Sequence, residues 1–126
     1  MNTRHKGNIA VANAIGYFSE NGCSVFLPVG DSGGAIDLVV SYDGLTVKRV
    51  QCKYTTRFHE ETAKRYPDSL IWKVHITRQN QVIYDENSFD LLFVTTPDGN
   101  YLINWKEYVV EKGKISSVIL IGKKLS

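Results

Sequence analysis

The sequence predicts an α/β or α+β sheet protein, a helix followed by a meander of strands with further short elements. Three observations carry that expectation. Apolar residues recur at helical spacing between Gly7 and Asn21. Asp43-Gly44 stands between two strand-like runs, a strong hairpin signal. Phe89 to Thr95 reads as a buried strand, with turn residues behind it at Pro97-Asp98-Gly99.

Taken in order, Ile9, Ala12, Ile15 (with Ala14) and Phe18 give the first helix an apolar face. Gly22 suits its end, because glycine takes the left-handed conformation that a helix stop often needs. Cys23 to Val29 follows as a strand, and Gly30-Asp31-Ser32-Gly33-Gly34 is a loop by composition. Ala35 to Tyr42 and Leu45 to Thr55 form the arms of the hairpin. Thr56 to Ser69, polar and charged, is a long loop or a poorly formed helix. Leu70 to Thr77 alternates as a strand; after Phe89 to Thr95 come Tyr101 to Asn104, a short helix from Trp105 to Glu111, and a last strand from Ser116 to Gly122.

With 126 residues, the chain is expected to form one domain, 1–126, with a single core. Hydrophobic residues at 43% and charged residues at 22% exclude a disordered protein. Two cysteines, Cys23 and Cys52, are too few for a disulfide framework and lack a CxxC metal spacing. Both lie in apolar, strand-like runs, which predicts reduced, buried thiols and an intracellular, cytoplasmic protein. No apolar run is long enough to span a bilayer, and the N-terminus lacks a signal-peptide core, so no membrane partner is expected. The net charge of +2 is uneven: Lys48 to Arg78 holds eight basic residues against Glu60, Glu61 and Asp68. Such concentration is the footprint of a nucleic-acid face, or of a solvated basic loop.

The chemistry centres on the hairpin. Side chains alternate across a strand, so Gln51 and Lys53 project together while Val50, Cys52 and Tyr54 point the other way. Asp37 interrupts an otherwise apolar run from Ile36 to Val40, where a carboxylate is costly to bury without a partner or a metal. A turn at Asp43-Gly44 places Asp37 opposite Val50, one residue from Gln51; a bulge or a splayed pair would bring the two together. Phosphodiester cleavage needs charge neutralised on the phosphate and an activated water. A hard cation such as Mg²⁺ or Mn²⁺ takes oxygen ligands, which Asp37, the Gln51 amide and the Cys52 backbone carbonyl can supply. Lys53 can hold the attacking water and stabilise developing charge. The neutral Gln51 predicts weaker metal binding than two carboxylates would give.

The order of these segments resembles the PD-(D/E)XK nuclease superfamily: Lys6-Gly7 opening a helix, Leu27-Pro28-Val29, Ile36-Asp37-Leu38-Val39-Val40, then Arg49-Val50-Gln51-Cys52-Lys53. It is most similar to small nucleases associated with group I introns, in which glutamine can replace the acid before x-Lys. Ser88 to Val94, Thr96 to Gly99, Tyr101 to Ile103 and Ile115 to Lys124 look like the family's later strands, so the likeness covers nearly the whole chain. The resemblance implies a restriction-endonuclease-like fold with a central mixed sheet flanked by helices. It also implies metal-dependent DNA cleavage and oligomerisation, with metal binding at Asp37 and Gln51 and lysine-assisted catalysis at Lys53. Two positions depart from the pattern: Ile36 replaces a proline, and Val11 stands where many members carry a metal-linked glutamate. Asn8, one turn from Val11, and Asp31, on the glycine-rich loop, are the auxiliary candidates. Glu20 faces the opposite side of the helix and is no substitute.

Arg49, Arg57, Lys64, Arg65, Lys73 and Arg78 are the candidate DNA contacts, with Thr56 to Arg78 as the reading region. For His59, His75, Trp72 and Trp105, surface or packing roles are the simpler expectation. Cutting both strands of a duplex needs two sites, so homing-type double-strand cleavage implies a homo-oligomer, a dimer or a tetramer. Two other functions compete. A resolvase would act on branched DNA with the same core chemistry, and a silent nuclease fold, which Val11 favours, would bind without cutting.

Overall fold

The computed structural model describes residues 3–29, 36–58, 72–76, 84–112, 117–120 and 124–125. The first helix, α1, runs from Thr3 to Glu20. Its end follows from Gly22, whose φ of 83° lets Cys23 N–H reach the Phe18 carbonyl at 2.9 Å and Gly22 N–H reach that of Ser19 at 3.1 Å. These two bonds make a Schellman stop, which satisfies carbonyls the helix would otherwise leave bare. The buried stripe of α1 is Ala10, Ala14 and Phe18, with Val11 and Ile15 beside it. That is a rotation from the expected face, because Ala12 is exposed and Ile9 only half-buried. Two alanines at this spacing let the helix backbone lie close against the sheet, and Phe18 fills the deeper space beside Phe93.

Five strands form that sheet in the order β1 (Ser24–Phe26), β2 (Leu38–Ser41), β3 (Val47–Tyr54), β6 (Leu91–Thr96) and β7 (Gly99–Asn104). The pair β3–β6 is parallel and the rest are antiparallel, so the sheet is mixed. A second antiparallel sheet joins β4 (Arg57–Phe58), β5 (Trp72–His75) and β8 (Ser117–Leu120). The expected loop from Thr56 therefore contains a strand, because Arg57 and Phe58 pair with Lys73 and Trp72. A second helix, α2 (Trp105–Lys112), opens where Asn104 Oδ1 accepts Glu107 N–H at 3.1 Å, an N-cap.

Two cores lie on opposite faces of β6. Leu38, Val40, Val50, Cys52 and Phe93 pack under α1. Leu92, Val94 and Tyr101 pack the other way, against Trp72, Val74 and Val118 of the second sheet and Trp105 and Val109 of α2. Trp105 is fully buried, stacks on Phe89 at 4.6 Å and donates its indole N–H to the Asp85 carbonyl at 2.8 Å, so it has a packing role. Cys52 is buried, but Cys23 is half-buried and lies just outside β1, because the strand there is only three residues long.

Candidate active site

The hairpin sets the register of the site, and it differs from a two-residue turn. Asp43 Oδ1 accepts N–H groups from Leu45 at 2.8 Å and Thr46 at 2.7 Å, while Ser41 Oγ accepts from Gly44 at 2.9 Å. These local bonds favour a five-residue loop, Tyr42 to Thr46, closed by the pair Ser41↔Val47. They also hold the exposed Asp43 carboxyl down at about 2. The ladder then pairs Leu38 with Val50, one residue off the register a two-residue turn would impose. At its end Asp37 N–H donates to the Val50 carbonyl at 2.9 Å. Asp37 and Leu38 thus both face Val50, two residues against one, as in a bulge.

The bulge turns the Asp37 carboxylate toward β3, where its Oδ2 accepts Cys52 N–H at 2.7 Å. In a strand the N–H and C=O of one residue point to the same edge, so the Cys52 carbonyl is turned toward β2 as well. Val50 and Cys52 enter the core under α1, whereas Gln51 and Lys53 lie beside Leu92 and Val94 on the other face. Gln51 is 4% exposed and its Oε1 is buried with no hydrogen-bond partner. An orphaned buried amide oxygen costs free energy, on the order of 1–3 kcal/mol, that a bound cation would relieve. The site's residues therefore fit a divalent ion: a carboxylate, an orphaned amide oxygen and a carbonyl, all hard oxygen donors. Among the described residues no three His, Cys, Asp or Glu side chains gather as a metal-holding group, so among those residues the candidate donors other than Asp37 are neutral oxygens.

Electrostatics agree with that. Burial pushes the Asp37 carboxyl above its ordinary value, although the Cys52 N–H bond and the Lys53 charge work against it. Lys53, half-buried, is thus close enough to feel the carboxylate. Burial, followed by the Asp37 charge, pushes the Cys52 thiol up, so its sulfur stays protonated. Only its backbone is available to a hard cation.

The other expected residues fall in different places. Asn8 is exposed on α1, whose buried stripe packs on the face away from Gln51, and Val11 is packed against the apolar cluster there. Lys6 holds its ammonium 6.0 Å from the Tyr54 ring, so the start of α1 lies over the end of β3. Arg49 shares the Gln51 face, but its guanidinium is taken by Asp90, at 3.2 Å from Nε and 3.4 Å from Nη2. Asp90 also accepts Arg49 N–H at 2.7 Å and donates its own N–H back to the Arg49 carbonyl at 2.9 Å. The Arg49 guanidinium is thus engaged by Asp90 while remaining partly exposed. Sequence reasoning missed this cluster, although an acid entering an apolar run, the signal used for Asp37, is also present at Asp90. Arg57 is on β4 and Lys73, half-buried, on β5; Thr55 Oγ1 donates to the Lys73 carbonyl, tying β5 to the end of β3. Asp31, His59, Lys64, Arg65 and Arg78 lie outside the described residues.

Comparison with known proteins gives a consistent result. A family model described as PD-(D/E)XK endonuclease matches residues 1–115. A solved structure of a bacterial homing endonuclease aligns with a TM-score of 0.66 at 22% identity, covering 97% of this chain and 77% of that one. At that identity the likeness shows the fold, which is restriction-endonuclease-like. No curated protein sequence matches significantly.

Proposed function

This chain belongs to the PD-(D/E)XK endonuclease family, and from that premise we propose that it hydrolyses DNA with a divalent cation held by Asp37, Gln51 and the Cys52 carbonyl. The observation that carries the reading is the orphaned Gln51 Oε1, buried on the strand to which the Asp37 carboxylate is bonded. A bound Mg²⁺ or Mn²⁺ supplies Lewis acidity toward the phosphate and lowers the pKa of water. The chain's own residues do the rest. Asp37 presents a carboxylate oxygen oriented by the Cys52 N–H, which restricts its rotation without neutralising it. Lys53, two residues from Gln51 on the same face, orients the attacking water and stabilises charge that develops on the phosphate oxygens. The core beneath Gln51 excludes water from that side, which strengthens each of these interactions.

Homing-type cleavage of duplex DNA by a homo-oligomer is the mode we assign. It is supported by the one candidate site among the described residues, since two strands need two sites, and by the basic residues between Lys48 and Arg78. Supercoiled plasmid with Mg²⁺ or Mn²⁺ tests the reading. Wild type should nick and linearise it, while Asp37→Ala and Lys53→Ala should each be slower by about a hundredfold or more, equivalent to ~2.7 kcal/mol of barrier. One observation favours a second reading. Val11 is built into the apolar cluster, leaving α1 without an acid there. A silent, DNA-binding nuclease fold is therefore the outcome if wild type binds the plasmid but nicks it no faster than the two variants.

A further inference from the structure

Two lysines from outside the hairpin are brought to the C-terminal end of β3, one on each side of the sheet. On the α1 side, Lys6 holds its ammonium 6.0 Å from the Tyr54 ring. On the other side, the buried Thr55 draws β5 to the same strand end. It donates its N–H to the Thr95 carbonyl at 3.0 Å and its hydroxyl to the Lys73 carbonyl. Trp72 and Val74 enter the core between the two sheets, so alternation along β5 turns Lys73 away from that core. Lys53 lies on β3 itself, one residue before Tyr54. Lys6, Lys53 and Lys73 thus reach one strand end from three separate elements, and each is half-buried. Among the described residues, Arg49 and Lys124 are paired with Asp90 and Asp98, whereas no acid pairs with Lys6 or Lys73. Lys6 also stands at the start of α1, where the helix dipole disfavours a cation, and the first turn carries no acid to offset it. Like charges gathered in partly desolvated positions repel, and an anion supplied from outside removes that cost. Because β3 and β6 run parallel, the place is also the carboxyl end of a parallel pair, where ligands of open α/β sheets gather.

We propose that Lys6 and Lys73 hold the phosphates that flank the one attacked beside Lys53, so that the cleaved strand crosses the end of β3 from the α1 side to the second-sheet side. Thr55 is a positioning residue: its hydroxyl fixes β5, and with it Lys73, against the strand that carries Lys53. This rests on the nuclease reading above and adds to it the path of the DNA backbone. Contacts to flanking phosphates are the same in the bound substrate and at the moment of cleavage, so they serve binding and not the chemical step.

The test is binding to a short mixed-sequence DNA duplex in chelator, followed by fluorescence anisotropy over a range of NaCl concentrations, which needs neither metal nor cleavage. Each phosphate contact contributes about 0.9 to the slope of log affinity against log salt. Lys6→Met and Lys73→Met keep the apolar stems; each should flatten the slope by about 0.9, and the double variant by about twice that, because different phosphates are lost. Lys106→Met, at an exposed lysine of α2, should leave it unchanged. In plasmid nicking the Lys6 and Lys73 variants should raise KM with kcat unchanged, the mark of lost uniform binding. Thr55→Val should flatten the slope as Lys73→Met does, Thr55→Ser should restore it, and Lys73→Met added to Thr55→Val should change nothing further. If Thr55 only packs, Thr55→Val lowers the melting temperature and leaves slope and KM as in wild type. If Thr55→Val fails to fold, the two lysine variants still decide the path of the strand. Slopes in both that equal a steep wild-type slope would overturn that path and leave the nuclease reading standing. Equal flattening by Lys106→Met would overturn it too, since net charge alone would be the cause. A wild type with no salt-dependent affinity for the duplex would overturn the nuclease reading itself.

Discussion

Asp37 and Asp90 stand at corresponding points on either side of β3. Each immediately precedes an apolar strand, β2 or β6, and each accepts a β3 backbone N–H at 2.7 Å, from Cys52 and Arg49 respectively. What surrounds them differs. Asp90 is partnered by the Arg49 guanidinium and exchanges backbone bonds with that residue, while its carbonyl accepts Trp105 N–H at 3.0 Å at the start of α2. Burial works against its charge, yet the Arg49 side-chain and backbone bonds and the Arg49 and Lys48 charges hold its carboxyl below the ordinary range. Asp37 is more deeply set, with burial outweighing the Cys52 bond and the Lys53 charge, and it is held above that range. One acid is used up in holding the sheet. The other carries a charge whose burial its Cys52 bond and Lys53 do not fully offset, the kind of perturbed acid on which the proposed metal site rests.

The contrast can be broken by exchange of roles. The largest expected effect is on cleavage: Asp37→Ala loses about a hundredfold or more in plasmid nicking, while its melting temperature moves less than that of Asp90→Ala, because relief of the buried charge offsets the Cys52 N–H it leaves without an acceptor. Asp90→Ala should do the reverse. It orphans Arg49 N–H and removes the side-chain tie between the start of β6 and β3, and should lower unfolding stability by about 1–2 kcal/mol in urea titration; the ion pair itself adds little, being partly exposed and screened. If Asp90→Ala abolished cleavage without loss of stability, the division between the two acids would be wrong. Gln51→Met removes the orphaned amide and should stabilise the metal-free protein by about 1 kcal/mol while impairing Mn²⁺ binding.

The smallest effect, and the sharpest discriminator, is in pH. Thermal melts in chelator are compared for wild type, Asp37→Asn and Asp90→Asn. The contribution of Asp90, whose folded-state value is lowered, is fully present above the unfolded aspartate value of about 3.9 and is lost as pH falls through the folded one. Asp37 has the opposite sign. Its charge costs stability above its raised folded-state value, and that cost disappears as pH falls through it toward the unfolded value. Asp37→Asn should therefore melt above wild type at neutral pH and converge with it in acid, while the deficit of Asp90→Asn shrinks in acid. Parallel curves for the two variants would show that the environments do not differ as described.

Local signals in the chain account well for local structure. Gly22 marks the helix stop, and the Asp-Gly pair marks the hairpin, because each acts through its own backbone and near neighbours. The hairpin loop proved longer because Asp43 caps Leu45 and Thr46 through its carboxylate, which the dipeptide alone does not reveal. The alternation of Gln51 and Lys53 against Val50 and Cys52 followed from strand geometry. The approach of Asp37 to Cys52 depended on a register shift and a bulge that geometry allowed but did not fix. Partnerships across long separations were not legible at all: Arg49 and Asp90 lie 41 positions apart, and nothing near Arg49 points to Asp90. The Lys64, Arg65 and Arg78 DNA contacts remain proposals, as these residues lie outside the described part of the chain.

The parallel pairing of β3 with β6 has a consequence for the protein's birth. The hairpin with Asp37 and Gln51 is complete once Tyr54 has left the ribosome, yet the other edge of β3 waits for Leu91 to Thr96, a late and entropically demanding closure. Until then the nascent chain displays a bare row of amides along the strand that carries Gln51 and Lys53, an invitation to aggregation. A ribosome-released fragment ending at Ser88 should sediment with the insoluble fraction, whereas the chain extended through β8 should remain in the supernatant.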